Sequence, residues 1–261
     1  MNSKTYTLIT GASGGIGYDL ALLAGVDGKN LVLTARSADK LNQLADTIRK
    51  NNNSDVIVID VDLSSQEGVE KLISEITAQN IHIDVLINNA GFGDFGDFAK
   101  ADLSKNMEII RLNISALTQL THFALQGMIK TGKGRIMNVA STAAFMPGPG
   151  MAVYYASKAY VLSFSEALTR ELKGSGITVT ALCPGPTDTG FAKVSGLGHS
   201  LMHRMLPPQT SLQVAKVGYK AMIKGEAIEI PGIMNKLSTL TPRFTPRSIV
   251  RNLIYGIHKN H

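Results

Sequence analysis

The feature that most constrains the fold of this 261-residue chain is the alternation of short aliphatic runs with longer segments of helical spacing. The runs are nearly continuous in apolar residues, which is typical of strands buried on both faces of a sheet. Strand–helix alternation implies right-handed crossovers and parallel strands. We therefore predict a single doubly wound α/β domain over residues 1–261, with a parallel sheet of about seven strands. The predicted strands are 5–10, 31–35, 55–60, 84–88, 135–140, 177–183 and, more weakly, 227–230, and the predicted helices include 38–50, 66–79, 104–130 and 155–173.

Composition agrees with one large domain, because 44% of the residues are hydrophobic and can bury a substantial core. No apolar run is long enough to cross a bilayer, and the N-terminal residues lack the apolar core of a signal peptide. Cys183 is the single cysteine, so an internal disulfide is excluded. Together these features favour a cytoplasmic protein.

The net charge of +6 is concentrated at the C-terminal end. From residue 201 onward there are nine Lys and Arg residues, against the two acids Glu226 and Glu229. A solvated helix face is the simplest interpretation, and attraction to a phosphorylated substrate, an acidic carrier protein or a membrane surface is the alternative. The segment lacks the interleaved aromatic residues expected for nucleic-acid binding.

A glycine-rich stretch, TGASGGIG at residues 10–17, links the first predicted strand to a helix. Glycine allows the backbone to approach a pyrophosphate closely, and the helix N-terminus then offers free N–H groups to it. A tight turn would also explain glycines here, but their place in a strand–helix–strand unit favours dinucleotide binding.

The end of the second strand predicts which dinucleotide is bound. NAD-preferring sites place an acid at this point to hold the ribose 2′-hydroxyl, whereas this chain has Arg36 and no acid. A guanidinium can pair with a 2′-phosphate, so we predict NADP(H) in preference to NAD(H).

Several motifs now follow in order: TGASGGIG, DVDLS at 60–64, NNAG at 88–91, YYASK at 154–158 and PGPTDT at 184–189. In this order and spacing the chain resembles the compact-length subclass of the short-chain dehydrogenase/reductase family, with strong motifs to about Thr189. The resemblance implies a Rossmann-type fold and a ketone/secondary-alcohol oxidoreductase. It also implies a set of largely backbone contacts to the cofactor. These fall on Gly11, Ser13, Gly15, Ile16 and Gly17 for the pyrophosphate and ribose, Asp62 and Leu63 for the adenine, Asn89, Ala90 and Gly91 for the adenosine ribose, and Gly185, Thr187 and Thr189 for the nicotinamide side.

Two adjacent tyrosines precede a lysine, and carbonyl reduction needs one proton donor beside the hydride donor. A nearby ammonium should lower the high pKa of a phenol. Both Tyr154 and Tyr155 can neighbour Lys158 on a helix, so geometry does not choose between them. The family pattern Tyr-x-x-x-Lys selects Tyr154 and leaves Tyr155 as a packing or pocket residue.

The resemblance assigns three further roles. Ser141, thirteen positions before Tyr154 at a strand end, would polarise the substrate carbonyl. Lys158 would also bond the nicotinamide ribose, and Asn113 would hold a water that relays protons to Lys158. Two alternatives remain: a catalytically silent NADP-binding regulator, and a membrane-peripheral reductase of lipid carbonyls or 3-oxoacyl groups.

Residues outside these motifs give weaker expectations. We expect a substrate lid at about 186–215 and a basic helical extension at about 243–261, where Ile249, Leu253, Ile254 and Ile257 share one side of a helix. His199 and His203 lack further ligands, so no metal site is predicted. The substrate is a small carbonyl or alcohol or an acyl thioester, and the family commonly forms homodimers or homotetramers.

Overall fold

The structure is a computed structural model that describes residues 4–52, 54–191, 195–196 and 208–259. Its main sheet has seven parallel strands in the order β3-β2-β1-β4-β5-β6-β9, so the predicted doubly wound α/β fold is confirmed. The strands are β1 (Thr5–Thr10), β2 (Asn30–Ala35), β3 (Val56–Asp60), β4 (His82–Asn88), β5 (Gly134–Val139), β6 (Ile177–Leu182), β7 (Thr187–Asp188), β8 (Gln209–Thr210) and β9 (Ile228–Glu229).

Helices cover both faces of the sheet. Successive strand residues point to opposite faces, so Ile9 packs with Leu20 of α1 on one side, while Leu8 packs with Leu72 of α3 on the other. The two layers explain why the strands are apolar on both faces. The helices are α1 (Gly15–Val26), α2 (Ala38–Asn52), α3 (Gln66–Ala78), α4 (Leu103–Ile110), α5 (Leu117–Thr131), α6 (Ala152–Glu171), α7 (Ser211–Lys224), α8 (Ile233–Phe244) and α9 (Arg247–Lys259).

The predicted helix at 104–130 is present, but its middle is irregular. A π-helical turn, Arg111–Ala116, joins α4 to α5 without ending the helix. Such turns widen the helix locally and occur frequently at functional sites. Asn113 lies within this turn and is buried.

The predicted lid begins and ends in a small second sheet, where β7 pairs with β8. Helix α7 begins inside the predicted lid at Ser211, capped by Thr210. Residues 192–194 and 197–207, including His199 and His203, lie outside the described residues.

Two helices, α8 and α9, follow the last strand of the sheet. The helical extension expected from about residue 243 corresponds to α9, whereas α8 was not predicted. Val250 and Ile254 of α9 are buried, and Ile249 and Leu253 are exposed. Within the described part of the chain, no helix is both long and apolar enough to cross a membrane.

The order of the strands positions the site. From β1 to β3 successive strands are added on one side of β1, and from β4 onward they are added on the other side. This reversal leaves a crevice between the carboxyl ends of β1 and β4. The backbone N–H groups of Asn89 and Ala90 both donate to Thr10 Oγ1 at 3.0 Å, so the two strand ends are tied together at the crevice.

Candidate active site

The glycine-rich loop lies at the crevice and forms one wall of a cavity of about 1290 Å³. Gly11 and Gly15 have φ of +67° and +56°, a conformation that favours glycine. A Cβ at Gly15 would lie 3.0 Å from Thr189 Cγ2, whereas one at Gly14 would meet nothing within 4 Å. Helix α1 begins here without a side-chain cap, which leaves its first N–H groups available to an anion. These features fit a dinucleotide pyrophosphate.

The side chain of Asn89 holds this loop in place through hydrogen bonds to its backbone. Its Nδ2 donates to the carbonyl oxygens of Thr10 and Gly11 at 3.0 and 3.1 Å. A Cβ at Gly17 would lie 2.4 Å from Asn89 Nδ2 and from the Gly11 oxygen, so this position has room only for glycine. Gly17 is buried behind the loop and is not among the residues that line the cavity, unlike the predicted Gly11, Ser13, Gly15 and Ile16.

The adenosine end of the cavity is basic. Arg36, which the sequence predicts to contact a 2′-phosphate, is exposed and lines the cavity, and it is joined there by Lys40 of α2, which sequence reasoning missed. Neither side chain has an ion-pair partner among the described residues. Asp62 and Leu63 line the same end, and Asp62 Oδ1 accepts from the N–H and hydroxyl of Ser64 at 2.9 and 2.7 Å.

The remaining predicted cofactor residues all line the middle of the cavity. These are Asn89, Ala90, Gly91, Gly185, Thr187 and Thr189. A Cβ at Gly91 would lie 3.0 Å from Asn113 Oδ1 and 3.3 Å from Lys158 Nζ, so glycine lets the chain pass over both side chains. The Thr187 hydroxyl donates to the Gly185 carbonyl at 2.9 Å and shapes the turn after β6.

Ser141, Tyr154 and Lys158 converge on the same cavity. Ser141 follows β5 and accepts from the Ala143 N–H at 3.1 Å, which fixes the start of a short 3₁₀ turn. The Ser141 hydroxyl donates to the Pro184 carbonyl at 3.4 Å. Tyr154 lies in the first turn of α6, close enough to Ser141 for this hydroxyl to affect the pKa of its phenol. Lys158 lies one turn later, with Nζ donating to the Val139 carbonyl at 2.8 Å and 5.8 Å from the Tyr154 ring centroid.

Burial has the largest effect on the pKa values of Tyr154 and Lys158, and for Tyr154 the direction is opposite to the one expected. Burial raises the pKa of Tyr154 to about 12, and the nearby Ser141 hydroxyl lowers it only in part. Lys158 was expected to make this phenol more acidic, but here its ammonium bonds to Val139. Burial also lowers the pKa of Lys158 to about 8, because the charged form loses its hydration.

Asn113 joins the catalytic helix to the loop after β4. Its Nδ2 donates to the Phe92 carbonyl and to Ser157 Oγ, both at 3.0 Å, and its Oδ1 accepts from the Phe92 N–H at 3.2 Å. Both amide hydrogens are therefore used within the protein. A relay water of the kind that the resemblance implies would have to bond to an oxygen of this residue.

Tyr155 faces the other end of the cavity, next to a residue that sequence reasoning missed. Its hydroxyl lies 3.5 Å from Nε2 of His258 in α9, and the two rings meet edge to face. His258 Nδ1 lies 2.6 Å from the Pro149 carbonyl oxygen, so Nδ1 carries the hydrogen. A lone histidine in an amphipathic helix gave no signal of this long-range contact.

The substrate end of the cavity is mostly apolar. Met146 and Met151 line it, whereas Phe145 packs against the core cluster of Ala140 and Val161. Helices α8 and α9 form one wall of this end, with residues that lie outside the family motifs. The apolar members of this wall are Met234, Leu237, Pro242, Ile249, Val250, Leu253, Ile254 and Ile257.

Comparison with known proteins gives consistent similarities. Residues 5–198 match the family described as short chain dehydrogenase. Very-long-chain 3-oxoacyl-CoA reductase of Mus musculus is 28% identical over 250 residues, which is 92% of this chain and 76% of that protein. A short-chain dehydrogenase from Sphingobium yanoikuyae, solved with NADPH, has a TM-score of 0.82 and 30% identity over 92% of this chain and 93% of its own. The bulky-bulky ketone specific alcohol dehydrogenase of Comamonas testosteroni has a TM-score of 0.78 and 28% identity over 93% and 94%.

Proposed function

The chain belongs to the short-chain dehydrogenase family and is an oxidoreductase acting on the CH–OH/C=O pair, and from that premise we propose that it prefers NADP(H) and uses Tyr154 as its general acid. The observation that carries the proposal is the convergence of Tyr154, Ser141 and Lys158 on one cavity next to the glycine-rich loop. Tyr155 does not share this arrangement, because it faces His258.

The preference for NADP(H) rests on the basic adenosine end. Arg36 and Lys40 line the cavity without ion-pair partners among the described residues, so both are free to pair with a 2′-phosphate. The similar dehydrogenase from Sphingobium yanoikuyae was solved in complex with NADPH, which agrees with this reading.

The protein residues supply the proton and the orientation. When bound, the nicotinamide supplies the hydride. Ser141 and Tyr154 offer two hydroxyl groups to one carbonyl oxygen, which orients the substrate and stabilises its developing negative charge. With a pKa of about 12, Tyr154 is protonated at neutral pH and can donate to the more basic alkoxide. Lys158, with a pKa of about 8, is mainly cationic at pH 7 and stabilises the phenolate that remains.

We propose a ketone flanked by bulky or long apolar groups as the substrate. The substrate end of the cavity is lined by methionine and aliphatic side chains from the loop before α6 and from α8 and α9. Apolar walls with a few fixed polar groups are typical of sites that bind apolar ligands by burial. The similar mouse reductase is named for very-long-chain 3-oxoacyl-CoA, and the similar bacterial dehydrogenase for bulky ketones.

The adjacent tyrosines provide a matched test of the general acid. Tyr154→Phe should reduce kcat by at least ~10²-fold, because the proton donor is lost. Tyr155→Phe should retain most of the turnover, and both variants should bind NADPH like the wild type. The measurement is NADPH oxidation with bulky ketones, 3-oxoacyl thioesters, aldehydes and steroids, together with NADPH titration. Equal losses in the two variants would contradict the assignment, and NADPH binding without turnover of any substrate would favour the silent regulator.

Location and assembly form a further part of this proposal. A cytoplasmic protein is consistent with a single buried cysteine, Cys183. A homodimer or homotetramer is proposed from the family resemblance, with contacts through α4, α5 and α6. Light scattering on the purified protein would measure the assembly, and a monomer at micromolar concentration would refute it.

A further inference from the structure

The C-terminal helix pair, α8 and α9, exposes an unusual amount of apolar surface. Ile233 and Phe244 are 78% and 87% exposed, although isolated large apolar side chains are usually more covered. Others recur at helical spacing along α8 and α9, so the exposed side chains form a patch. We call this patch the C-terminal apolar face, and its members are Ile233, Met234, Leu237, Leu240, Phe244, Ile249 and Leu253.

This face adjoins the substrate end of the cavity. Met234, Leu237, Ile249 and Leu253 line the cavity and are also 54% to 63% exposed. A side chain can meet both conditions only where the cavity opens to the outside. The mouth of the cavity therefore lies within the C-terminal apolar face.

The same helices carry positive charge without acids. No Asp or Glu follows Glu229 in the sequence, and Glu229 itself pairs with Lys236 at 3.3 Å. Arg243, Arg247 and Arg251 are exposed, and none has a hydrogen-bond or ion-pair partner among the described residues. The apolar face is thus bordered by three free guanidinium groups.

We propose that the C-terminal apolar face binds the surface of an anionic lipid bilayer. Interfacial binding of helices combines burial of an apolar face with attraction of basic residues to anionic headgroups, and the helix pair has both. A second copy of the chain is disfavoured, because a two-fold contact through this face would bring arginines against arginines. An acidic protein could pair with the three arginines, but it would also need apolar pockets that match the exposed side chains of Ile233 and Phe244.

Docking in this way would bring the cavity mouth to the lipid. A long-chain or sterol-like carbonyl dissolved in the bilayer could then enter between α8 and α9 without crossing water. This last step rests on the proposed function, whereas the binding to lipid does not.

Vesicle co-sedimentation tests the binding directly. The full chain should bind vesicles of equal parts phosphatidylglycerol and phosphatidylcholine at least tenfold more strongly than phosphatidylcholine alone, and high salt should weaken the binding. Leu240→Ser with Phe244→Ser should reduce the binding at least tenfold, as should Arg243→Gln with Arg247→Gln and Arg251→Gln. None of these residues lines the cavity, so turnover of a water-soluble ketone should be unchanged and reports correct folding.

Matched controls and a catalytic variant separate the possible results. Val26→Ser with Ile223→Ser removes exposed apolar side chains elsewhere on the surface. Lys50→Gln with Lys173→Gln and Lys220→Gln removes exposed charges elsewhere. Both control proteins should bind vesicles as the wild type does. Tyr154→Phe should bind vesicles fully, so a failure of the reductase proposal does not affect this test. No preference for anionic vesicles, or equal losses in the controls, would overturn the proposal. Two other results would also overturn it. One is a dimer in solution that Leu240→Ser with Phe244→Ser dissociates, and the other is binding of polyglutamate without binding of vesicles.

Discussion

Removing the guanidinium of Arg36 should change cofactor selection more than cofactor binding in general. Arg36→Ala deletes one charged contact to a 2′-phosphate, and such hydrogen bonds contribute roughly 1.5–3 kcal/mol when well formed. Because Arg36 is exposed, solvent and salt reduce this to about 1–1.4 kcal/mol, which is a fivefold to tenfold weaker Kd for NADPH. NADH has no 2′-phosphate, so its Kd should change less than about twofold.

The assay is fluorescence titration of both dinucleotides at low and high salt. Adding Lys40→Ala to Arg36→Ala should weaken NADPH further, because both residues line the same end of the cavity. Lys50→Ala, near the other end of α2, is the matched control and should leave both Kd values unchanged. A parallel loss of NADPH and NADH binding would refute the reasoning, because it would mean that Arg36 supports the loop rather than the phosphate.

Three further outcomes are expected. Gly185→Ala should destabilise the fold by roughly 1–3 kcal/mol in urea unfolding, since its Cβ would lie 2.3 Å from Asn235 Oδ1, and Gly190→Ala is an unhindered control. His258→Leu should raise KM for bulky ketones several-fold with little change in kcat for small ones, because α9 loses its bond to the Pro149 carbonyl; an unchanged KM would contradict this. Burial lowers the pKa of Lys158 to about 8, so above pH 8 the unfolded state binds more protons at this residue than the folded state does. The free energy of unfolding should therefore increase as the pH rises from about 8 toward 10. Lys158→Met should lack that gain, and identical pH profiles would refute it.

The fold could be predicted because its signal is local and repeated. Each strand is an apolar run and each crossover is a segment of helical spacing, so β1 to β6 were found with small errors at their ends. Helix α8 was missed because Pro242 lies within it, and proline is usually read as a helix breaker. The π-helical turn around Asn113 was also missed, because an added residue within a continuous helix leaves no break in the pattern.

The candidate site was predictable where chemistry is encoded in short motifs. Ser141, Tyr154, Lys158 and the glycine-rich loop converge as expected. The protonation of Tyr154 was not predictable, because it depends on how much water the folded chain removes from the phenol. His258 was missed because it reaches the loop before α6 from more than a hundred positions away. Such contacts depend on packing that no local pattern contains.

The contact of His258 with Pro149 has a practical consequence for anyone who purifies this protein. The last turn of α9 is packed into the wall of the cavity, and His258 is only 3% exposed. A group attached immediately after α9 would therefore lie close to the substrate end of the cavity. Lys4, by contrast, is exposed at the amino end of β1, which is the edge of the sheet opposite the crevice. A tag fused before β1 is the safer choice, and kinetic constants from the two tagged forms should differ most for the bulkiest ketones.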